Sequence, residues 1–330
     1  MPKVTVLIAV YNASAYLNKC IDSILGQTLT DLQVVCVDDC STDNSLSILK
    51  DYEQHDHRVE VVHLEQNVGL AKARNIALAR ASGDYICMVD ADDWYSLDAM
   101  QLAADILDAH KKTGCVLFRF VLAFPSGQGF SLKDFPSAEF SVMSGAEACR
   151  MSLTWQIHGI YMVRADIHKR YPYDETCRVY SDENTCRMHY AVSEEVRCCS
   201  GVYFYRQHNQ SVTHSVTVHR FDRLKAKESL MAQLKTVDVG LDMTGILTNQ
   251  LWLDVVDLYM FLYVHGRELT EAERRYGLGE LKRVWSTIDR TLLDPQAHRK
   301  LGYRHMPTWT LFRLQEWIYF TLRGFLGKNK

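Results

Sequence analysis

Five aspartates stand where two apolar runs stop. Val34-Val35-Cys36-Val37 runs into Asp38 and Asp39, and Tyr85-Ile86-Cys87-Met88-Val89 runs into Asp90, Ala91, Asp92 and Asp93. Each run reads as a buried strand with carboxylates at its carboxyl end, the edge where open α/β sheets bind ligands. Clustered carboxylates repel one another, so a folded site needs a cation or hydrogen-bond donors among them. Alternate residues after a strand can present two carboxylates to one side, where a hard cation could bridge Asp92 and a diphosphate. The competing reading is a solvated turn in which Asp93 caps the following helix.

The elements that position these acids follow from periodicity. Val4–Val10 is a continuous apolar strand, as in a parallel sheet covered on both faces. Ser14 is a candidate cap for a helix on which Leu17, Cys20, Ile21, Ile24 and Leu25 recur at helical spacing. Ser41-Thr42-Asp43-Asn44 offers caps for a helix carrying Leu46, Ile48 and Leu49. A third strand runs from Val59 to Leu64, an alanine-rich helix from Gly69 to Ala81, and a fourth strand from Tyr85 to Val89. This alternation predicts an α/β fold, a doubly wound, mostly parallel sheet flanked by helices. Pro125–Ser144 reads as a long surface loop; Trp155–Val163 and Val202–Tyr205 read as further strands. Beyond a boundary placed near residue 216 the chain turns helical, giving a first domain over 1–215 and a helical region over 216–330. Leu251, Val255, Leu258 and Leu262 mark one amphipathic helix there, and Leu281, Val284 and Ile288 another. Trp309–Leu326 is dense in apolar residues, with Arg313, Arg323, Lys328 and Lys330 around it. It reads either as a helix lying on an anionic membrane or as one packed against protein.

Composition narrows the class. The 330 residues carry a formal net charge of -3, which supplies no global field for nucleic acid. A hydrophobic fraction of 47% is that of a folded chain with a substantial core. Ten cysteines occur without a CxxC pair, and Cys36, Cys87 and Cys115 fall inside apolar strands. Buried reduced thiols imply a cytoplasmic setting, and the adjacent Cys198 and Cys199 read as ordinary packing. No leader is expected, because a strand begins almost at once, and no spanning helix, because no apolar run is long enough.

Four segments then carry a resemblance: Val6-Leu7-Ile8-Ala9-Val10-Tyr11-Asn12; Val37-Asp38-Asp39-Cys40-Ser41-Thr42-Asp43; Asn67-Val68-Gly69-Leu70-Ala71-Lys72-Ala73-Arg74-Asn75; and Asp90-Ala91-Asp92-Asp93. In order and spacing they resemble the family-2 inverting glycosyltransferases of the GT-A fold, closely over residues 3–95 and more loosely to about 215. The resemblance implies a nucleoside-diphosphate sugar donor, most simply a UDP-sugar, with Mn²⁺ or Mg²⁺, and a glycan or lipid-linked hydroxyl as acceptor in surface polysaccharide synthesis. It places Ala9, Tyr11, Asn12 and Asp39 around the base, with alanine at position 9 where the family usually has proline. Asp38 is an alternative partner for the ribose. Asn67 and Gly69 form the turn before a helix whose Arg74 neutralises a phosphate or ties down an aspartate. Asp90, beside Ala91, meets the ribose, Asp92 is the main metal ligand, and Asp93 and His208 are further candidates. Arg206 and His208 lie in a closing-loop segment, Tyr203–Thr213, that reaches the diphosphate. Asp182 is the implied base with Glu183 as substitute, in a stretch where Ser181 replaces the family's glutamate. Trp155, His158 and Tyr161 line the acceptor side. Each assignment has a plainer rival: core packing for Tyr11 and the aromatics, helix capping for Asn67, Gly69 and Ser181.

Two other classes share some of these features. A sugar-nucleotide nucleotidyltransferase wants a glycine-rich, basic loop after the first strand, and Tyr11-Asn12-Ala13-Ser14 lacks one. A non-catalytic nucleotide-sugar-binding partner of a membrane assembly draws support from Ser181 alone.

Overall fold

The computed structural model describes residues 1–126, 129–176, 180–208, 216–239, 242–296 and 300–326, and every side chain among them except that of Ser181. By packing, the chain divides into two compact units: Met1–Ser211 with Thr236–Gly240, and Val212–Lys235 with Leu241–Lys330.

The first unit opens with the expected alternation: β1 (Val4–Val10), α1 (Leu17–Leu25), β2 (Leu32–Asp38), α2 (Ser45–His55), β3 (Val59–His63), α3 (Leu70–Arg80) and β4 (Tyr85–Met88). Then come β5 (Trp94–Tyr95), α4 (Ala99–Ala109), β6 (Thr113–Ser126), β7 (Gly129–Asp134), β8 (Val142–Ser144), α5 (Gly145–Leu153), β9 (Tyr161–Arg164), α6 (Ala165–Arg170), α7 (Ser181–Val192) and β10 (Glu195–Arg206). The sheet order is β3-β2-β1-β4-β9-β6-β10-β5, with β7 on β6 and β8 on β10. Strands β3, β2, β1 and β4 are mutually parallel. β9 runs antiparallel to both β4 and β6, and β10 is parallel to β6. Two reversals therefore restore the direction, and the carboxyl ends of β1, β2, β4 and β10 share one rim. Burial explains the continuous apolar runs: Val4, Val6, Leu7, Ile8 and Val10 of β1 and Val34 to Val37 of β2 are closed to solvent.

Three local expectations are corrected. Ser14 does not cap α1; its amide donates to Asp43 Oδ2 at 3.0 Å, and the helix starts three residues later after a turn closed on Ala13 O. Pro125–Ser144 is not a loop throughout; among its described residues only 135–141 lie outside strands. β6 runs on to Ser126, β7 returns along it, and β8 pairs with β10. β7 is exposed along nearly its whole length, so no apolar alternation marked it. In Trp155–Val163 only the segment from Tyr161 is a strand, and Trp155 takes a left-handed backbone, φ 57°. The closing-loop residues Asn209–Thr213, with Lys328 and Lys330, lie outside the described residues.

The second unit holds α8 (Asp222–Leu234), α9 (Thr244–His265), α10 (Glu271–Thr287) and α11 (Trp309–Phe325). Phe221, Trp252, Val255, Leu281, Val284, Phe312 and Phe320 form its core. Gly277 allows a close approach, since a Cβ there would meet the Phe221 ring at 2.5 Å. No helix among the described residues is long and apolar enough to cross a membrane.

One acid is enclosed in this core. Glu316 has no exposure; its Oε1 accepts from Gln315 Nε2 at 3.0 Å and its Oε2 has no partner among the described residues. Burial pushes its carboxyl from 4.5 up to about 8. The folded form thus keeps a proton that the unfolded chain releases from about pH 4.5 upward, so stability is lost as pH rises from there toward 8. Across that range the difference in melting temperature between the native chain and Glu316→Gln, whose amide oxygen keeps the Gln315 bond, is expected to shift against the native chain as pH rises.

Candidate functional site

The shared rim gathers the acids that sequence reasoning singled out, and one buried cation stands among them. Arg74, 1% exposed, donates from Nη2 to Asp90 Oδ1 at 2.6 Å, and its Nη1 lies 3.7 Å from Asp182 Oδ2. It reaches that point because Ala71, Ala73 and Ala77 bury the face of α3 against the sheet without bulk. The Tyr173 ring lies 5.4 Å from the guanidinium, and Nη1 has no hydrogen-bond partner among the described residues. Burial works against the charge of Arg74, but Asp90 and Asp182 outweigh it and raise its pKa. Asp90 is raised as well, first by desolvation, with Arg74 opposing and Asp92 and Asp182 adding to the rise.

The neighbouring acids divide by orientation. Asp93 has no exposure. Its Oδ2 accepts from Tyr203 OH at 2.6 Å and its Oδ1 from the Arg206 amide at 2.7 Å. Burial, then the charges of Asp90 and Asp92, hold it well above the carboxylate range. Asp93 therefore anchors β10 beneath the rim; it neither caps α4, which starts at Ala99, nor presents an oxygen as a metal ligand. Asp92 turns outward instead. Its Oδ2 lies 2.8 Å from His208 Nε2, and its carbonyl accepts from Arg206 Nε at 2.7 Å. His208 stacks on Tyr16 at 5.0 Å, and the Arg206 guanidinium lies 4.9–5.0 Å from the rings of Tyr16, Trp94 and Phe130. No cluster of three metal-ligating side chains occurs among the described residues. The available donors are the Asp92–His208 pair, which suits a hard cation that takes its remaining ligands from water and phosphate oxygens.

At the β1 and β2 ends, Asp39 accepts from the Val68 and Gly69 amides at 2.7 and 2.9 Å, while Asn67 Nδ2 donates to its carbonyl at 3.1 Å. Gly69 takes φ 88°, which only glycine adopts without strain. Asp39 thus ties the approach to α3 into place, its oxygens retaining free lone pairs. Asp38 is fully buried and bonded to His63 Nδ1 at 2.7 Å, so it does not open onto the rim as a ribose ligand. Asn12, at φ 51°, accepts from the Thr42 amide at 2.8 Å, and Tyr11 beside it is 52% exposed. Ala9 is half-buried and Ala91 buried.

On the opposite wall, α7 presents Asp182 in its first turn with 43% of its side chain exposed. Glu183 instead pairs with Arg187 at 3.0 Å. Asp182 shares a pocket with Met88, Gly159, Tyr161, His168 and Tyr173. Trp155 is exposed, but His158 is buried between Phe120 and Phe135, and burial lowers its pKa to about 4. It is a core residue and lines no acceptor surface. Tyr161 bonds His189 Nδ1 at 2.7 Å.

Sequence reasoning missed the tethers. Asn75 both donates to and accepts from the Tyr173 backbone at 2.9 Å, fastening α3 to the segment that leads to α7. Tyr203 spans Asp93 and the Asp90 amide. Both stand inside segments already singled out, which was their only signal. His168, buried with both ring nitrogens unpartnered, had none.

Comparison with known proteins follows this geometry. Residues 5–161 match the family model described as glycosyl transferase family 2. The uncharacterized glycosyltransferase EpsJ of Bacillus subtilis is 28% identical over 223 residues, 64% of this chain and 63% of that protein. A chondroitin synthase of Escherichia coli is 37% identical over 116 residues, 35% of this chain and 17% of the synthase. The chain thus spans less than two thirds of these relatives. The crystal structure of S. aureus TarS 1-349 in complex with UDP-GlcNAc superposes with a TM-score of 0.72 at 20% identity, covering 97% of this chain and 92% of that one. That likeness extends the shared fold over nearly the whole chain.

The anchoring role of Asp93 has a measurable consequence. Asp93→Ala leaves the buried Tyr203 hydroxyl and the Arg206 amide without an acceptor and is expected to cost about 2–3 kcal/mol in urea unfolding. Asp92→Ala, at a half-open position, is expected to change stability by less than about 1 kcal/mol.

Proposed function

We propose, from the match of residues 5–161 to the glycosyl transferase family 2 model, that the chain transfers one sugar, with inversion, from a UDP-sugar to a hydroxyl of a glycan or lipid-linked acceptor in surface polysaccharide synthesis. The observation that carries this reading is the single rim holding Arg74, Asp90, Asp92, Arg206 and His208, with Asp182 facing it. The TarS structure with bound UDP-GlcNAc and the polysaccharide named for the chondroitin synthase support the donor and acceptor classes. No disulfide joins any of the described cysteines, which is in keeping with a reducing compartment.

In this reading the exposed Tyr11 ring and the Asp39 carboxylate receive the base, with Asn12 holding their turn. Asp90, neutralised by Arg74, accepts from the ribose. Asp92 and His208 would hold Mg²⁺ or Mn²⁺, which when bound supplies positive charge at the diphosphate. Arg206 adds its guanidinium where negative charge grows on the leaving group. The acceptor hydroxyl attacks the sugar C1 while the C1–O bond to the diphosphate breaks, and its proton passes to Asp182. Asp182 is favoured over Glu183 because it is the more open of the two and lies 3.7 Å from an arginine already bonded to Asp90, whereas Arg187 holds Glu183 at 3.0 Å. Exposed Trp155 offers an apolar face to acceptor sugars. The first unit is the catalytic domain in this account, and the helical unit serves the acceptor side, a membrane surface or a partner subunit.

Two assays test this. A panel of nucleotide sugars is expected to give free UDP and a glycan of matching mass with one donor; released pyrophosphate, or no turnover with any donor and acceptor, would contradict the reading. Asp182→Asn is expected to bind donor normally and to lose about 10²–10⁴-fold in turnover, with Glu183→Gln much less affected. Retained turnover in Asp182→Asn removes it from the role of base.

A further inference from the structure

A helix of a folded domain normally spends its apolar stripe once, on the core. In α11 the core stripe is Phe312, Glu316 and Phe320, all closed to solvent. A second stripe, Leu311, Leu314, Ile318, Leu322 and Phe325, repeats at intervals of three and four residues on the other side, and its members are 40–85% exposed. It continues into a groove of about 450 Å³, to which Leu301 and Met306 add apolar surface. Lys300 and Arg304 are the only charges in that groove among the described residues. The acid of this helix, Glu316, faces inward, and its burial favours the neutral form. Contiguous exposed apolar surface with cations at its side marks a partner that is greasy and anionic.

We propose that the outward stripe of α11, with Lys300 and Arg304, is a docking surface for an anionic lipid bilayer. Charge complementarity selects this occupant. A second copy meeting the same groove about a two-fold axis would offer the same lining, which holds no acid among the described residues, and would leave Lys300 and Arg304 without an anionic partner. Headgroup phosphates instead pair with both cations while the leucines and Phe325 enter the acyl boundary. The helix lies on the surface and does not span it, since its 17 residues carry an inward face committed to the core. The surface is independent of the sugar-transfer reading and stands or falls by its own test.

Full chain is sedimented with phosphatidylcholine vesicles, with and without phosphatidylglycerol, at low and high salt. Binding is expected only where phosphatidylglycerol is present, and to weaken with salt. Lys300→Gln and Arg304→Gln are each expected to weaken it about fivefold. Leu314→Ser with Ile318→Ser is expected to abolish it, with unchanged circular dichroism melts showing an intact fold. Absence of vesicle binding by the native chain overturns the proposal. So does concentration-dependent self-association in ultracentrifugation that the same serine variant removes while vesicles remain unbound, because the stripe then belongs to a second copy.

Discussion

The ion pair between Arg74 and Asp90 is the interaction on which the site depends. Parallel strands deliver Asp39, Asp90, Asp92 and Asp93 to one rim, and such a cluster cannot stay charged and folded without compensation. Arg74 supplies it from below, almost wholly buried, at 2.6 Å from one carboxylate and within ionic reach of Asp182. A buried pair of this kind is costly to leave half-made, since removing one partner strands the other charge in a dry setting. The pairing also couples two walls. Arg74 faces the β4 end with Nη2 and α7 with Nη1, so the proposed leaving-group side and the proposed base are positioned by one side chain.

Around this pair the acids are sorted by their donors. Asp93 is enclosed by Tyr203 and Arg206 and becomes structure, whereas Asp39 takes one backbone amide on each oxygen and keeps lone pairs for a further donor. Asp92 keeps an outward oxygen that meets His208. Consecutive carboxylates thus acquire different chemistry from neighbours more than a hundred residues away. Arg206 at the end of β10, and His208 two residues on, reach the rim because β9, antiparallel on both sides, restores the strand direction.

Much of this was legible in the chain. Strands β1, β2 and β4 are buried on both faces and therefore read as apolar runs, which placed their carboxyl ends and the acids there. The small residues of α3 marked a helix in close approach, and Arg74 stood out against them. What was illegible depended on tertiary surroundings. The β6–β7 hairpin carries no burial contrast, so its residues resembled a loop. His158 looked like a site residue because nothing local records that Phe120 and Phe135 enclose it. Asp92 and Asp93 differ in no sequence property; only Tyr203 and the Arg206 amide separate the ligand candidate from the anchor. Asp38 likewise took its buried place from His63 and not from its own type.

The central claim is that the Asp92–His208 edge of this rim grips a divalent ion together with the diphosphate of the donor. Calorimetric titration of the chain with UDP, in manganese and again in excess chelator, tests it most directly. The account predicts binding in manganese that weakens at least tenfold in chelator and equally in Asp92→Ala. Affinity for UDP that is the same in all three conditions would contradict it.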